Sequence, residues 1–259
     1  MISVHPIPAF NDNYIWALID QEQGCCIVID PGDATPVKSF LKEHKLHLLA
    51  VFVTHHHQDH TGGIAPLIAE HPCPVYAGEK SKYNGLINRL KEGDRLLLMG
   101  QEFLVLEVPG HTLDHIAYVC ENLNDTGAVF CGDTLFVGGC GRIFEGDAAM
   151  MLQSLKKLSA LPETTKVFCT HEYTLSNLRF ARTIEPDNQE LIKFNEECER
   201  KRKNNLPTVP STISIEKKIN PFLRTSEQPV KLKAQSLSGR SIDSETEIFA
   251  IIRKSKDQF

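Results

Sequence analysis

The sequence predicts an α+β protein in two parts, a strand-rich segment over residues 1–172 and a helical segment over residues 173–259. Three observations carry this expectation. Short apolar runs of strand length, each closing in a turn, recur as far as residue 169. Four of those runs, 48–53, 102–108, 128–131 and 166–169, are followed within three residues by histidine or aspartate. Beyond Tyr173 the apolar spacing becomes helical and strands fade out.

Taken in order, residues 2–8 and 14–19 read as strands around the polar turn Asn11-Asp12-Asn13, and 25–29 as a third strand closing at Asp30-Pro31-Gly32. Thr35-Pro36 marks a helix start with Thr35 as N-cap, and Val37, Phe40 and Leu41 form its inward stripe. Strand 48–53 delivers Thr54-His55-His56-His57-Gln58-Asp59-His60, after which Thr61-Gly62-Gly63 leads into a helix carrying Ile64, Leu67 and Ile68. Positions 73–76 return to strand, and 80–91 read as irregular or briefly helical. Residues 95–99 and 102–108 form a hairpin about Gly100-Gln101 that ends at Pro109-Gly110-His111. Strands 116–120 and 128–131 follow, the latter running into Gly132-Asp133-Thr134. Asp147 caps a helix with Met151, Leu152, Leu155 and Leu158 on one face, and strand 166–169 ends at His171.

In the second part Leu178, Phe180, Ala181 and Ile184 mark one helix. Asp187 and Glu190 are spaced as a capping box before Leu191 and Phe194 in the next. The charged run Glu199-Arg200-Lys201-Arg202-Lys203 reads as a solvated helix end, broken by the prolines at 207 and 210. Positions 236–245 form a polar connector before the apolar stretch 248–252.

Composition narrows the function. A length of 259 residues with 41% hydrophobic content suits two ordinary domains. A net charge of -5 leaves no broad basic surface for nucleic acid. No apolar run reaches membrane-spanning length and no charged-then-apolar leader precedes the first strand, so a cytoplasmic protein without membrane contact is expected. The eight cysteines contain no C-x-x-C pair and read as reduced and buried. Cys140, in Gly138-Gly139-Cys140-Gly141, is assigned to packing rather than to metal binding or nucleophilic attack.

The chemistry gathers at positions 54–60. On extended backbone, residues two apart point the same way, so His55 and His57 aim at one point while His56 faces elsewhere. Asp59 and His60, where the chain turns into a helix, aim at a second point. Imidazole and carboxylate donors suit zinc, iron or manganese. An internal run interrupted by aspartate and framed by a strand and Gly-Gly is no affinity tag. With the later strand ends, the candidate metal donors are His55, His57, Asp59, His60, His111, Asp133 and His171. His56, which faces elsewhere, is not expected to bind metal, and His115 is expected to pack or hydrogen-bond near that site rather than to bind metal. His5, His44, His47 and His71 are assigned to structure or surface.

The full T-H-x-H-x-D-H motif at 54–60, with His111, Asp133 and His171, resembles the metallo-β-lactamase superfamily. That resemblance implies an αββα sandwich holding one metal by His55, His57 and His111, a second by Asp59, His60 and His171, with Asp133 bridging. A closer resemblance is to the hydroxyacylglutathione hydrolase (glyoxalase II) family. It rests on Ile7-Pro8-Ala9-Phe10 with Asp12-Asn13-Tyr14, Cys131-Gly132-Asp133-Thr134-Leu135-Phe136, Gly139-Cys140-Gly141-Arg142 and His171-Glu172-Tyr173-Thr174. Asn220-Pro221-Phe222-Leu223-Arg224 and Arg253-Lys254-Ser255-Lys256-Asp257-Gln258-Phe259 extend it over essentially the whole chain. It implies a helical substrate-binding domain over 173–259 and glutathione contacts from Arg142, Phe144, Tyr173, Arg253 and Lys256. Phe144 stands where some members carry tyrosine, and Arg142 where some carry lysine.

The activity implied is hydrolysis of an S-(2-hydroxyacyl)glutathione, typically S-D-lactoylglutathione, to glutathione and a 2-hydroxy acid, the second step of methylglyoxal detoxification. Neutral water attacks a thioester slowly. A metal lowers the pKa of bound water from about 15.7 to about 7, and two ions about 3.5–4 Å apart hold attacker and developing charge together. The expected mechanism is attack by a metal-bridged hydroxide oriented by Asp59, with two divalent ions per chain, zinc first and iron or manganese also accepted. The expected partner is the glutathione thioester, and a monomer is expected. The alternatives are an iron-dependent persulfide dioxygenase of the same superfamily, a related nuclease, and a non-catalytic metal-binding protein. The helical C-terminal region with Arg253 and Lys256 disfavours the first, the acidic balance the second, and the complete donor set the third.

Overall fold

A computed structural model describes residues 2–259 and divides into two compact units. The first runs to Glu107 and includes Thr112–Gly132; the second joins Val108–His111 to Asp133–Phe259.

The first unit opens with β1 (Ile2–Ala9) and β2 (Asn13–Asp20), antiparallel to each other, and β3 (Cys25–Ile29), antiparallel to β2. Helix α1 (Ala34–His44) then returns the chain so that β4 (His47–Phe52) lies parallel to β3. Helices α2 (Gln58–Thr61) and α3 (Ile64–Glu70) lead to β5 (Val75–Gly78) and β6 (Asn88–Leu90), both parallel, completing a sheet ordered β1-β2-β3-β4-β5-β6. Next, β7 (Arg95–Leu98), β8 (Gln101–Glu107), β9 (Ile116–Leu123) and β10 (Thr126–Gly132) follow as successive antiparallel neighbours in the second sheet.

Strands β2 and β3 are buried along their whole length, because both faces of the first sheet are covered. On one face Ile15, Ala17, Val28 and Val51 pack with Val37 and Leu41 of α1 and Ile64 and Leu67 of α3. On the other, Phe52 stacks on Tyr118 of β9 at 4.4 Å and meets Phe103 of β8 edge-on at 5.3 Å. The Tyr118 hydroxyl, fully buried, reaches the carbonyls of Val53 and Tyr76 at 3.0 Å each, so it is satisfied by the facing sheet. The unit is therefore layered helix, sheet, sheet.

The second unit contains a tight hairpin of β11 (Leu135–Phe136) and β12 (Gly139–Cys140), then α4 (Ala148–Ser159), β13 (Lys166–Cys169), α5 (Thr174–Ile184) and α6 (Gln189–Lys203). It closes with β14 (Ser211–Thr212), which pairs antiparallel with β13, and with α7 (Ile213–Ile219), α8 (Gln228–Ser238) and α9 (Glu245–Asp257). Leu178, Ala181, Leu191, Cys198 and Ile219 form one core cluster of the helical part. Phe222 contacts Phe180 and Phe249 in another.

Several elements differ from expectation. Asp33 rather than Thr35 caps α1: its carboxylate accepts from Thr35 N at 2.8 Å, so Thr35 lies inside the first turn. Residues 80–91 contain no helix; β6 forms there by pairing with β5. Asn188, not Asp187, caps α6, accepting from Leu191 N at 3.1 Å. The polar stretch 236–245 begins inside α8, and β14 is a short strand beyond residue 173. All eight cysteines are free, seven of them buried. Among the described residues no helix is long and apolar enough to cross a membrane.

Candidate metal centre

In the first unit, β4 carries the chain into Val53 and Thr54 and then the histidine loop. Asp30, just beyond β3, anchors that loop. Its buried carboxylate accepts from Thr54 N and Thr54 Oγ1 at 2.7 Å each, and lies 3.0 Å from His60 Nδ1. Because Thr54 Oγ1 gives its proton to Asp30, it accepts from His55 Nδ1, 3.1 Å away. His55 Nε2 is thereby left with its lone pair, as is His60 Nε2, since the Nδ1 of each ring holds the proton. Gly132, at the end of β10 with φ +48°, approaches so closely that a Cβ there would lie 2.3 Å from Thr54 Oγ1.

His55 Nε2 and His57 Nδ1 stand 3.0 Å apart. Two ring nitrogens bound to one tetrahedral ion at 2.0–2.1 Å would be about 3.3 Å apart, so the pair has close to the spacing of shared ligation. Asp59 Oδ2 lies 3.4 Å from His60 Nε2 and accepts from Asn13 Nδ2 at 3.0 Å. His56 turns away and pairs with buried Asp114 at 2.8 Å, while His115 stacks on His55 at 4.6 Å and meets the Ile116 carbonyl.

In the second unit, Asp133 lies just before β11 and His171 just beyond β13. Asp133 Oδ2 is 3.5 Å from His111 Nε2 and 3.4 Å from His171 Nε2. His111 Nδ1 donates to the Arg142 carbonyl at 2.7 Å, which again leaves Nε2 as the donor toward a metal. Tyr173 lies parallel to His171, with centroids 4.6 Å apart, and Phe144 meets His111 edge-on at 5.2 Å.

The expected substrate contacts fall around that half. Arg142, Phe144 and Tyr173 are exposed. Asp257 is shared between Arg142 Nε at 3.2 Å and Arg253 Nη2 at 3.0 Å. Arg253 itself is buried, donates to the Cys140 carbonyl at 2.9 Å and lies over the Phe222 ring, so much of its guanidinium serves the chain's own packing. Lys256 lies over Phe180 and Phe259; loss of water pushes its ammonium down to about 8, with Arg253 and Arg179 adding to the shift. Burial raises the Cys140 thiol, which favours the packing role over nucleophilic attack. Asp30, Asn13 and Asp114 were not singled out from sequence, since each reads there as a turn or loop residue.

Two family models match the chain: "Metallo-beta-lactamase superfamily" over residues 14–171 and "Hydroxyacylglutathione hydrolase C-terminus" over residues 172–259. The chain is 48% identical over 261 residues to a hydroxyacylglutathione hydrolase of Nitrosomonas europaea, an alignment covering 100% of this chain and 97% of that protein. Among solved structures it is similar to ETHE1 from Myxococcus xanthus, with a TM-score of 0.67 at 23% identity, covering 98% of this chain and 91% of that one. It is also similar to TTHA1623 in a di-iron-bound form, with a TM-score of 0.62 at 26% identity, covering 85% and 100%.

Proposed function

The chain belongs to the hydroxyacylglutathione hydrolase family of the metallo-beta-lactamase superfamily, and from that premise we propose that it cleaves S-(2-hydroxyacyl)glutathione thioesters, S-D-lactoylglutathione foremost, to glutathione and a 2-hydroxy acid. The observation that carries this reading is the carboxylate oxygen of Asp133 facing two ring nitrogens, His111 Nε2 and His171 Nε2, at 3.5 and 3.4 Å. That arrangement supports reading Asp133 as a carboxylate shared by two ions.

The donors are assigned as follows: His55, His57 and His111 to one ion, Asp59, His60 and His171 to another, and Asp133 to both. The assignment is supported within the first unit by the spacing of His55 Nε2 from His57 Nδ1 and of Asp59 Oδ2 from His60 Nε2, and within the second by Asp133 facing both His111 and His171. The similar TTHA1623 structure is of a di-iron-bound form, which favours a dinuclear centre. The donor set suits zinc, with iron and manganese compatible. When bound, such ions supply hydroxide near neutral pH and polarise a carbonyl.

The chain's own residues do the rest. Asp59, with its carboxylate steered by Asn13, accepts a hydrogen bond from the attacking water and fixes its direction. Glutathione carries two carboxylates, and Arg142 and Lys256 draw them in, on a chain whose overall charge is negative. Tyr173, parallel to His171, presents its hydroxyl from a ring already held in place. Residues 1–172 carry the metal donors, and residues 173–259 contribute Tyr173, Arg253 and Lys256. The working form is a cytoplasmic monomer.

One preparation tests this reading: metal content per chain, thiol release from S-D-lactoylglutathione, and oxygen uptake with a persulfide substrate. Two ions per chain, thiol release and no oxygen uptake are expected. Metal-replete protein that consumes oxygen, or that leaves the thioester intact, would overturn it.

A further inference from the structure

Asn13 opens β2 at the tip of the β1–β2 hairpin, a place where polar side chains ordinarily meet water. It is instead buried at 6% exposure, and its amide reaches 46 positions along the chain to donate to Asp59 Oδ2 at 3.0 Å. The same oxygen faces His60 Nε2 at 3.4 Å. The Asp59 side chain is 41% exposed, so packing alone does not hold it, and the terminal torsion of a carboxylate is intrinsically broad.

The hairpin tip is shaped to make this contact. Phe10 takes φ +51°, the left-handed region that a bulky side chain enters only under strain, and such strain concentrates at functional sites. Its ring lies against Gly32, where a Cβ would come 2.9 Å from Phe10 Cε2 and 1.9 Å from the Asp59 carbonyl oxygen. The hairpin tip, the Pro31-Gly32 turn and the Asp59 backbone therefore meet with no room for another side chain. The chemistry of the amide fits as well. It directs the carboxylate by a hydrogen bond without neutralising it, whereas a lysine or arginine there would compete with a cation for the charge.

We propose that Asn13 is a positioning residue that presets the carboxylate of Asp59 for the metal centre. The proposal rests on the reading of Asp59 as a metal donor. Its test uses the full chain loaded with zinc, the rate at which a colorimetric chelator strips the ions, and kcat and KM for thioester cleavage. Asn13→Ala is expected to speed loss of the more labile ion roughly 10–100-fold and to lower kcat by a similar factor, with KM held within about twofold. Asn13→Asp keeps the shape and sets an acceptor against an acceptor, so its kcat is expected to fall at least as far. In an Asp59→Ala background Asn13→Ala should change neither quantity, because the interaction is already gone.

Wild-type stripping and turnover in folded Asn13→Ala would overturn the proposal, as would additive effects in the double variant. If Asn13→Ala does not fold, the isosteric Asn13→Asp decides by the same readouts. Stripping requires no substrate, so the two readings separate: accelerated stripping in a chain that leaves thioesters intact supports the positioning role and refutes the proposed reaction.

Discussion

His60 Nδ1 and Asp30 Oδ2 lie 3.0 Å apart, both buried, and that one carboxylate also receives the Thr54 amide and hydroxyl. Asp30 thus sets the proton position on His60 directly and on His55 through Thr54. Asp30→Asn keeps the volume and tolerates the residue's φ of +55°, but offers one acceptor oxygen where two are used. Metal affinity is expected to fall about 10–100-fold in a competitive metal titration. Asp30→Ala strands three buried donors and should also cost on the order of 3 kcal/mol in denaturant unfolding.

Asp59→Ala separates chemistry from binding. The glutathione contacts assigned to Arg142, Tyr173 and Lys256 are untouched by that change, so KM should move little. Turnover of protein reloaded to full metal content should fall roughly 10²–10⁴-fold, the range for loss of a group that directs a proton in the transition state. Unchanged kcat at equal metal content would remove Asp59 from the mechanism.

The candidate donors are legible in the sequence because they lie just beyond short apolar runs, and because the alternation of extended backbone sorts His55 and His57 from His56. Their supports are not. Asp30 stands in Asp-Pro-Gly and Asn13 in Asn-Asp-Asn, combinations whose local meaning is a turn, and their partners lie 24 and 46 positions away. The same holds for elements. Asp187 and Asn188 are equally able to cap α6, and Asn188 is held in place by the hydrogen bond its side-chain amide donates to the Lys218 carbonyl, a contact from another helix. β6 is three residues long and exists because β5 offers it an edge, so no local period marks it. For Arg253 the resemblance implies only a glutathione contact; its burial beneath Cys140 and over Phe222 follows from how α9 packs.

The glutathione contact proposed for Lys256 carries a pH signature. Its ammonium titrates at about 8 in the folded chain, below the ordinary 10.5, because burial strips water from it and Arg253 and Arg179 repel it. Above that value the neutral amine loses its hold on a substrate carboxylate, so KM should rise as pH passes through 8 while kcat follows its own profile. Lys256→Met should raise KM about tenfold at neutral pH and flatten its dependence above pH 8. Between 8 and 10.5 the unfolded chain holds a proton the folded chain has lost, so this group makes stability rise with pH in that window. A wild-type KM that is flat from pH 7 to 9 would exclude Lys256 from substrate binding.

Glu216 is a fully buried acid outside the metal centre, and its titration has the opposite sign. Oε2 accepts from Gly138 N and Asn220 Nδ2 at 2.9 Å each, and Oε1 from Ser211 Oγ at 2.6 Å. Asn220 also donates to the carbonyls of Phe136 and Gly139, so the carboxyl sits at the base of the β11–β12 hairpin that follows Asp133. Burial outweighs these three hydrogen bonds and raises the carboxyl from 4.5 to about 7. Between those values the unfolded chain has ionised while the folded chain keeps its proton, so the folded state binds more protons and stability falls as pH rises through the window. Glu216→Gln has the same shape, its carbonyl accepts from Gly138 and Asn220, and its amide donates to Ser211 Oγ, which can accept. Denaturant midpoints should therefore show the variant gaining on the wild type from pH 4.5 to 7 and holding a constant lead above it. Parallel curves across that range would mean that Glu216 is ionised throughout, held so by its three donors.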